Sequence, residues 1–484
     1  MKAKHRRCCG IDVHKKSLSI CVLAPSGQPE AGIKRRKFGT FTRDLRQLRG
    51  WLKNCQVTEI AMEATGQYWR AVWNVLEGEF EKMLLVNPQH IKGLNGNKTD
   101  PKDAQWIAEL LDGGKLRGSY VPPREIRELR DLTRERVNVL EDLNRAKNRI
   151  EQLCQAGNIK ISSVATDLFG VSGRAMLKAL IEGVRDPGWM ADYARGTLRA
   201  KKKELEQALE GTFTDRQRWL LSKELRQVEW LEQQVEVLER EIEKRMEPYE
   251  EAIRLLITMP GIERTTAWTL IAEIGVDMQV FGTARRLASW CGLCPGNRES
   301  GGKRMSGRTR KANRYIRRAM CQSAWAASHT KNTYLSAFYR RMCVRKGAPK
   351  AVVALAHHMI TVVFHILNRK EKYVELGGNY YDERNQEKVI RRLVARLNRL
   401  GCEVDVRVPT AVAPALEAAV AAEPIRADEV GQIEEFEGES RVGRAPKKKG
   451  RPCKCAERNI PCKHRTFADP NSLREQASSP VQFS

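Results

Sequence analysis

The chain is 484 residues long and carries 86 Lys and Arg against 59 Asp and Glu, a formal net charge of +27. With 41% hydrophobic and 30% charged residues it can bury real cores, which excludes a wholly disordered chain, and the length predicts about three domains. So strong a positive charge points to a polyanionic partner, nucleic acid first, ahead of an acidic protein or an anionic membrane surface.

After the opening MKAKHRR, the polar residues Asp12, His14, Lys15 and Lys16 interrupt any signal-peptide core. The longest apolar run, Ala351 to Leu367, holds His357, His358, Thr361 and His365, so it reads as a buried helix and no membrane partner is expected. Thirteen cysteines without a regular framework suit reduced thiols in a cytoplasm.

Residues 1–120 alternate strand and helix signals, the pattern of an α/β layer fold. Cys9 to Val13 predicts a strand, Lys15-Lys16 a turn, and Leu18 to Leu23 a second strand in a hairpin with the first. A further strand, Val57 to Met62, ends at Glu63, and a helix rich in Trp and Tyr opens from Gly66. Lys82 to Val86 is another strand, stopped by Asn87-Pro88. Asp100-Pro101 then starts a helix through Leu111, with proline in the first turn, where its missing N–H costs nothing.

Four carboxylates stand at the ends of these elements. Asp12 is the only charge within the first strand, Glu63 caps the strand from Val57, and Asp100 and Asp103, spaced i and i+3, share one helix face. Hard Mg2+ (or Mn2+) is bound by carboxylates together with substrate phosphate oxygens. Two such ions can stabilise both the attacking and the leaving oxygen of a phosphodiester displacement. Singly, each has a plainer reading: Asp100 caps its helix and Asp12 sits in a turn.

Residues 121–249 predict a helical linker. From Arg124 to Cys154, Ile126, Leu129, Leu140, Leu143, Ile150 and Leu153 recur at helical spacing. Leu225, Val228, Val235, Leu238 and Ile242 form nearly a heptad seam in a long helix over 218–247 that Pro248 ends. The seam either pairs with another helix as a coiled coil, which would build a homo-oligomer, or packs on its own domain.

Residues 250–375 read as a mostly helical, Arg-rich block. Ile257 to Gly275 looks like a helix-hairpin-helix whose Pro-Gly turn would offer backbone N–H groups to phosphate, although Glu263 replaces the second hairpin glycine. A purely structural helical hairpin fits equally. Further on, Ser300 lies before Gly301-Gly302, and Ser306 precedes Gly307. A serine beside glycine is open to a bulky phosphodiester, but its hydroxyl attacks only when something takes its proton. Lys303, Arg304, Arg308, Arg310, Lys311 and Arg314 crowd the same segment and would contact nucleic acid or stabilise a transferring phosphoryl group. The plainer reading is a flexible basic loop that grips backbone, with incidental serines.

Residues 376–484 read as an extension and a disordered tail. Ala413–Ser440 holds eight acids and one base, and Arg441–Thr466 ten bases and one acid, opposed charge blocks with too few apolar residues for a core. Cys453, Cys455, Cys462 and His464 form a C-x-C-x6-C-x-H array able to complete a tetrahedral Zn2+ site, or else remain unligated in a solvated tail. The basic run Lys447 to Pro452 could enter an A·T-rich minor groove.

Gly10-Ile-Asp-Val-His-Lys15, Met62-Glu-Ala-Thr-Gly-Gln-Tyr-Trp69, Val86-Asn-Pro88 and Lys98-Thr-Asp-Pro-Lys-Asp-Ala104 together resemble the RuvC-like DEDD domain of the IS110 family of insertion-sequence transposases. These are relatives of the Piv invertase and are called bridge-RNA-guided recombinases. The resemblance runs from residue 8 to about 375. It implies an α/β RuvC-like (RNase H-like) N-terminal domain, a coiled-coil or helical linker and a mostly α C-terminal transposase domain. It implies that Asp12, Glu63, Asp100 and Asp103 bind divalent metal, and that Ser300, with Ser306 as the alternative, is the nucleophile. The segment after Ser306 departs from the family's commoner run before Asn313.

Such a recombinase would take donor and target DNA, a structured noncoding guide RNA, and one or three further copies of itself as partners, in a bacterial or archaeal cytoplasm at the nucleoid. A metal-dependent nuclease resembling a junction resolvase, with Ser300 only a DNA contact, is the competing reading. A non-catalytic nucleic-acid-binding scaffold is a third.

Overall fold

The computed structural model describes residues 6–24, 32–88, 100–296, 298–300, 303–306, 308–309 and 312–406, with backbone alone for 100–102, 298–300 and 303–306. The charged tail, with Cys453, Cys455, Cys462 and His464, lies outside the described residues.

The chain opens with strands β1 (Cys8–Val13), β2 (Ser17–Val22) and β3 (Lys34–Gly39), helix α1 (Thr42–Asn54), strand β4 (Glu59–Glu63) and helix α2 (Trp69–Leu76). Strand β5 (Lys82–Val86), helix α3 (Asp100–Asp112) and the short β6 (Gly118–Ser119) complete a six-stranded mixed sheet, ordered β3-β2-β1-β4-β5-β6. β4 runs parallel to β1 and β5 parallel to β4, while β2, β3 and β6 are antiparallel to their neighbours. The expected hairpin, the strand ending at Glu63 and the strand before Asn87 are all present.

Strand alternation explains the two faces. Cys9, Ile11 and Val13 of β1, with Ile60 and Met62 of β4, pack on Leu45, Leu48 and Leu52 of α1 and Val72, Trp73 and Leu76 of α2. The alternate positions, Cys8 of β1, Ala61 of β4 and Val86 of β5, pack on Ile107 and Leu111 of α3. β1 is therefore buried on both sides.

β3 and α1 were not expected from the sequence. In β3, Lys34, Arg35, Arg36 and Lys37 are exposed and only Phe38 is buried, so no apolar alternation announces the strand. It lies at the sheet edge, where a row of bases discourages pairing with another chain.

Helices α4 (Arg124–Ala156) and α7 (Asp215–Met246) form a long antiparallel pair. Cross-helix ion pairs fix the direction: Glu128 with Arg245 (3.3 Å), Arg136 with Glu239 (2.5 Å), Lys147 with Glu232 (3.1 Å) and Arg149 with Glu224 (2.8 Å). Apolar burial holds the pair, because exposed ion pairs contribute little. Leu221, Leu225, Val228 and Leu231 share a core with Leu143, Ala146, Ile150 and Cys154 and with α5 (Val171–Glu182) and α6 (Lys202–Leu209). Leu225 and Val228 of the near-heptad seam are thus packed within the chain, while Val235 and Leu238 are half-buried.

From residue 250 the fold is mostly helical: α8 (Glu250–Leu256), α9 (Arg264–Ile274), α10 (Ala284–Trp290), α11 (Arg314–His329), α12 (Tyr334–Lys346) and α13 (Ala348–Arg369). α13 is the expected buried helix, with α8, α10, α11 and α12 packed around it. A final helix, α14 (Gln386–Arg399), buries none of its residues. Among the described residues every cysteine is a free thiol, and burial pushes Cys8 and Cys154 up to about 12, which keeps them unreactive.

Candidate active site

The sheet and α3 gather the acidic positions. Ile11 pairs with Met62 across the parallel β1–β4 ladder, so Asp12 and Glu63, next along each strand, stand at adjacent strand ends. By alternation both belong to the face covered by α3. Asp12 is only 4% exposed, and its Oδ2 lies 2.9 Å from His14 Nε2. A carboxylate buried that deeply needs such partners, because leaving it unpaired is expensive.

α3 runs antiparallel to β1. Its C-terminal end meets the start of the strand, where an Arg6 Nη donates to the Leu111 carbonyl (2.9 Å) and Cys8 Sγ lies 3.6 Å from Asp112 Oδ1. Its first turn, with Asp100 and Asp103, is therefore at the Asp12 end. The contact is set by Gly10: a Cβ there would stand 2.0 Å from the Ala104 carbonyl oxygen and 2.6 Å from the Ala108 nitrogen. No other residue lets the helix backbone lie so close to the strand.

Asp12, Glu63 and the first turn of α3 thus come from three separate stretches of chain to one end of the two central strands. Asp103 is half-buried, and the Asp100 side chain lies outside the described residues. Among the described residues, no three His, Cys, Asp or Glu side chains converge tightly enough to hold a metal ion. The donor set is nonetheless all hard oxygen, with one imidazole at Asp12, which suits a hard divalent cation.

Ser300 is on a different element. Where the sequence suggested a flexible loop, β7 (Arg298–Ser300) and β8 (Lys303–Ser306) form an antiparallel ribbon that pairs with no strand of the large sheet. Ser300 pairs with Lys303 at the tip, and Ser306 pairs with Arg298 nearer the base. A bridge between Pro295 and Thr309, with the Gly296 N–H donating to the Arg308 carbonyl (2.9 Å), closes the base. Arg308 and Arg314 are exposed, and the Arg314 guanidinium covers the Tyr315 ring at 4.7 Å. Of Lys303 and Arg304 the backbone places only the strand position, and Arg310 and Lys311 lie outside the described residues.

Two family models match the chain: one described as a transposase, the DEDD model of IS110, over residues 9–157, and one described as transposase IS116/IS110/IS902 family over residues 253–340. The chain is 24% identical over 373 residues to the transposase for insertion sequence element IS1111A of Coxiella burnetii, spanning 75% of this chain and 90% of that one. It is 22% identical over 379 residues to the pilin gene-inverting protein of Moraxella bovis, covering 75% of this chain and 96% of that protein. The chain belongs to the IS110 family of insertion-sequence transposases.

The general activity of an IS110-family transposase, cutting and rejoining DNA, comes with that membership. The two matched stretches are the two that carry the carboxylates and the serine ribbon.

Three features of this transposase were not read from its sequence. His14, two residues beyond Asp12, is its direct partner. Glu273, inside the apparent helix-hairpin-helix, is wholly buried among Arg130, Arg134 and Asn313. The hairpin turn itself faces inward: Gly261 has φ +86°, and a Cβ there would meet the Ser323 carbonyl oxygen at 2.4 Å. That glycine serves packing against α11, which supports the structural reading of the hairpin.

Proposed function

We propose that the sheet domain is a RuvC-like (RNase H-like) nuclease fold whose Asp12, Glu63, Asp100 and Asp103 bind Mg2+ or Mn2+, and that Ser300 is the nucleophile of a DNA recombinase. The observation that carries this reading is the convergence of acidic positions from β1, β4 and α3 at one end of the two central strands. The sheet order, with β1 to β3 antiparallel and β4 and β5 parallel to β1, supports the RuvC-like assignment.

A bound divalent ion supplies charge neutralisation at the scissile phosphate and Lewis acidity. Asp12 is held in place by His14, and Gly10 sets the approach of the helix bearing Asp100 and Asp103. At the ribbon tip, the Ser300 oxygen attacks phosphorus. The bond from phosphorus to the 3′ oxygen breaks, and that oxygen leaves as a hydroxyl with the serine's proton. The resulting 5′-phosphoserine ester conserves the broken linkage, and attack by the 3′ hydroxyl of an incoming strand releases the serine. Neither step consumes ATP. Lys303, Arg304, Arg308, Arg310, Lys311 and Arg314 grip the phosphates around the ribbon.

Two duplexes must be cut and rejoined, so a dimer or tetramer acts on donor and target DNA. The net charge of +27 also suits a structured noncoding RNA as guide. In the tail, Cys453, Cys455, Cys462 and His464 hold Zn2+. A nicked suicide substrate tests the core of this reading: a covalent protein–DNA adduct mapping to Ser300 is expected. Cleavage without any adduct would instead establish the metal-dependent nuclease. Sequencing the RNA that co-purifies from the host tests the guide.

A further inference from the structure

Of the five arginines in the first turns of α4, Arg127, Arg130 and Arg134 stand at spacings that place them on one helix face. Arg127, 5% exposed, donates to Glu77 at 2.6 and 2.8 Å and to Asn74 at 2.9 Å, both at the end of α2 in the sheet domain. Arg130 and Arg134 reach the other way, to α9. Arg134 holds the buried Glu273 carboxylate at 2.7 and 2.9 Å, and Arg130 lies 3.2 Å from it while donating to the Ala272 and Glu273 carbonyls.

The same carboxylate accepts from Asn313 Nδ2 at 2.5 Å. Asn313 Oδ1 in turn caps α11, accepting from the Tyr315 and Ile316 N–H groups. Asn313 follows Thr309, at the base of the serine ribbon, by only four residues.

Stability alone does not require this arrangement, since a buried ion pair is often replaceable by well-packed apolar residues. What it adds is a defined geometry between elements distant in sequence.

We infer that Glu273 and Asn313 are positioning residues that, with Arg127, Arg130 and Arg134, form a bracket fixing the serine ribbon relative to the sheet domain. The inference rests on the assignment of Ser300 as nucleophile for its kinetic consequence only. The Arg127 end holds the carboxylate domain, the Glu273–Asn313 end holds the ribbon root, and α4 is the rigid bar between them.

Two variants separate the tie from the cap. Asn313→Ser keeps a capping oxygen but removes the amide N–H that reaches Glu273, on a side chain one atom shorter. Asn313→Asp keeps the cap and turns a second carboxylate toward Glu273. In the full-length protein with saturating nicked DNA, both should form the covalent adduct about a hundredfold more slowly, the scale of a misplacement near 1 Å. DNA affinity should stay near wild type; Tm should fall, because a buried carboxylate loses a partner, so rates are compared well below each variant's Tm. Adding Glu273→Gln to Asn313→Asp exchanges donor and acceptor and should recover part of the lost rate.

Amide exchange over residues 295–309 reads the bracket without any chemistry, and it should be faster in both variants. Wild-type adduct rates in both variants, or unchanged exchange, would overturn the bracket. A wild type that forms no adduct, with faster exchange in the variants, would overturn the serine assignment and leave the bracket standing.

Discussion

The α-carbon of Gly10 on β1 rests directly against the backbone of Ala104 on α3, so close that any side chain there would have to displace the helix. The contact ties the identity of one small residue to the position of Asp103, next to Ala104 on the same turn. Gly10→Ala should therefore destabilise by about 2–3 kcal/mol, at the upper end of overpacking, and cut DNA cleavage more steeply than stability alone explains. Thermal denaturation and single-turnover cleavage below the variant's Tm check both parts. An equally stable, active Gly10→Ala would show that α3 can shift without consequence.

Asp12→Asn and Asp103→Ala test the carboxylates themselves. Each should lower cleavage by about three orders of magnitude, the equivalent of roughly 4 kcal/mol of charge stabilisation. Binding of DNA should remain near wild type, if exposed Lys and Arg rather than these acids meet its phosphates. Gel-shift and cleavage assays on the same preparations separate the two effects. Retained cleavage in both variants would remove these acids from the mechanism.

How far the sequence reveals this site depends on the range of the signal. β1, β5 and the start of α3 announce themselves through local apolar runs and a proline in the first turn, and α4 and α7 through long helical periodicity. β3 does not, because Lys34 to Lys37 look like loop residues and the strand exists only through its pairing with β2. The ribbon around Ser300 is hidden by its glycines and bases, which read as loop although Ser300 pairs with Lys303. Glu273 is the clearest case. In sequence it is one acid in an apolar helix, and the partners that make it tolerable there lie at positions 130, 134 and 313.

The helical core carries its own pH dependence. His358 is buried on α13, stacked on Phe338 at 5.1 Å, and burial lowers its pKa from 6.5 to about 4, with His357 adding to the effect. Protonation then favours the unfolded chain, so this contribution is fully present above pH 6.5 and lost as pH falls to about 4. The whole span is worth about 3 kcal/mol. His358→Phe should flatten that part of the profile, measured as urea midpoint against pH from 7 to 4. An unchanged slope would mean another group governs acid unfolding.

Truncation after Ser440 removes Arg441–Ser484, with eleven bases and three acids, a net of +8. If this segment binds phosphate, DNA affinity should fall and its dependence on log salt should flatten, by up to about 7 in slope if every net charge contributes. Fluorescence titrations between 50 and 300 mM salt would measure it. The same slope in the full and truncated chains would show that the tail does not touch nucleic acid.

The serine assignment is settled by comparing the two ends of one ribbon. Ser300 pairs with Lys303 at the tip and Ser306 with Arg298 toward the base, so the two hydroxyl-bearing residues are not interchangeable in position. Ser300→Ala should abolish covalent adducts and recombination with folding unchanged, since it removes the attacking oxygen from a turn-flanking position. Ser306→Ala should keep substantial activity. Ser300→Cys is expected to give slow, trapped adducts, because the sulfur attacks but makes a different leaving group. If Ser306→Ala is dead while Ser300→Ala recombines, the nucleophile sits at the ribbon base and phosphate must approach the Pro295–Thr309 end. If both alanine variants form adducts at the wild-type rate, neither serine is the nucleophile, and the carboxylates at the ends of the central strands are left to cut DNA by metal-assisted hydrolysis.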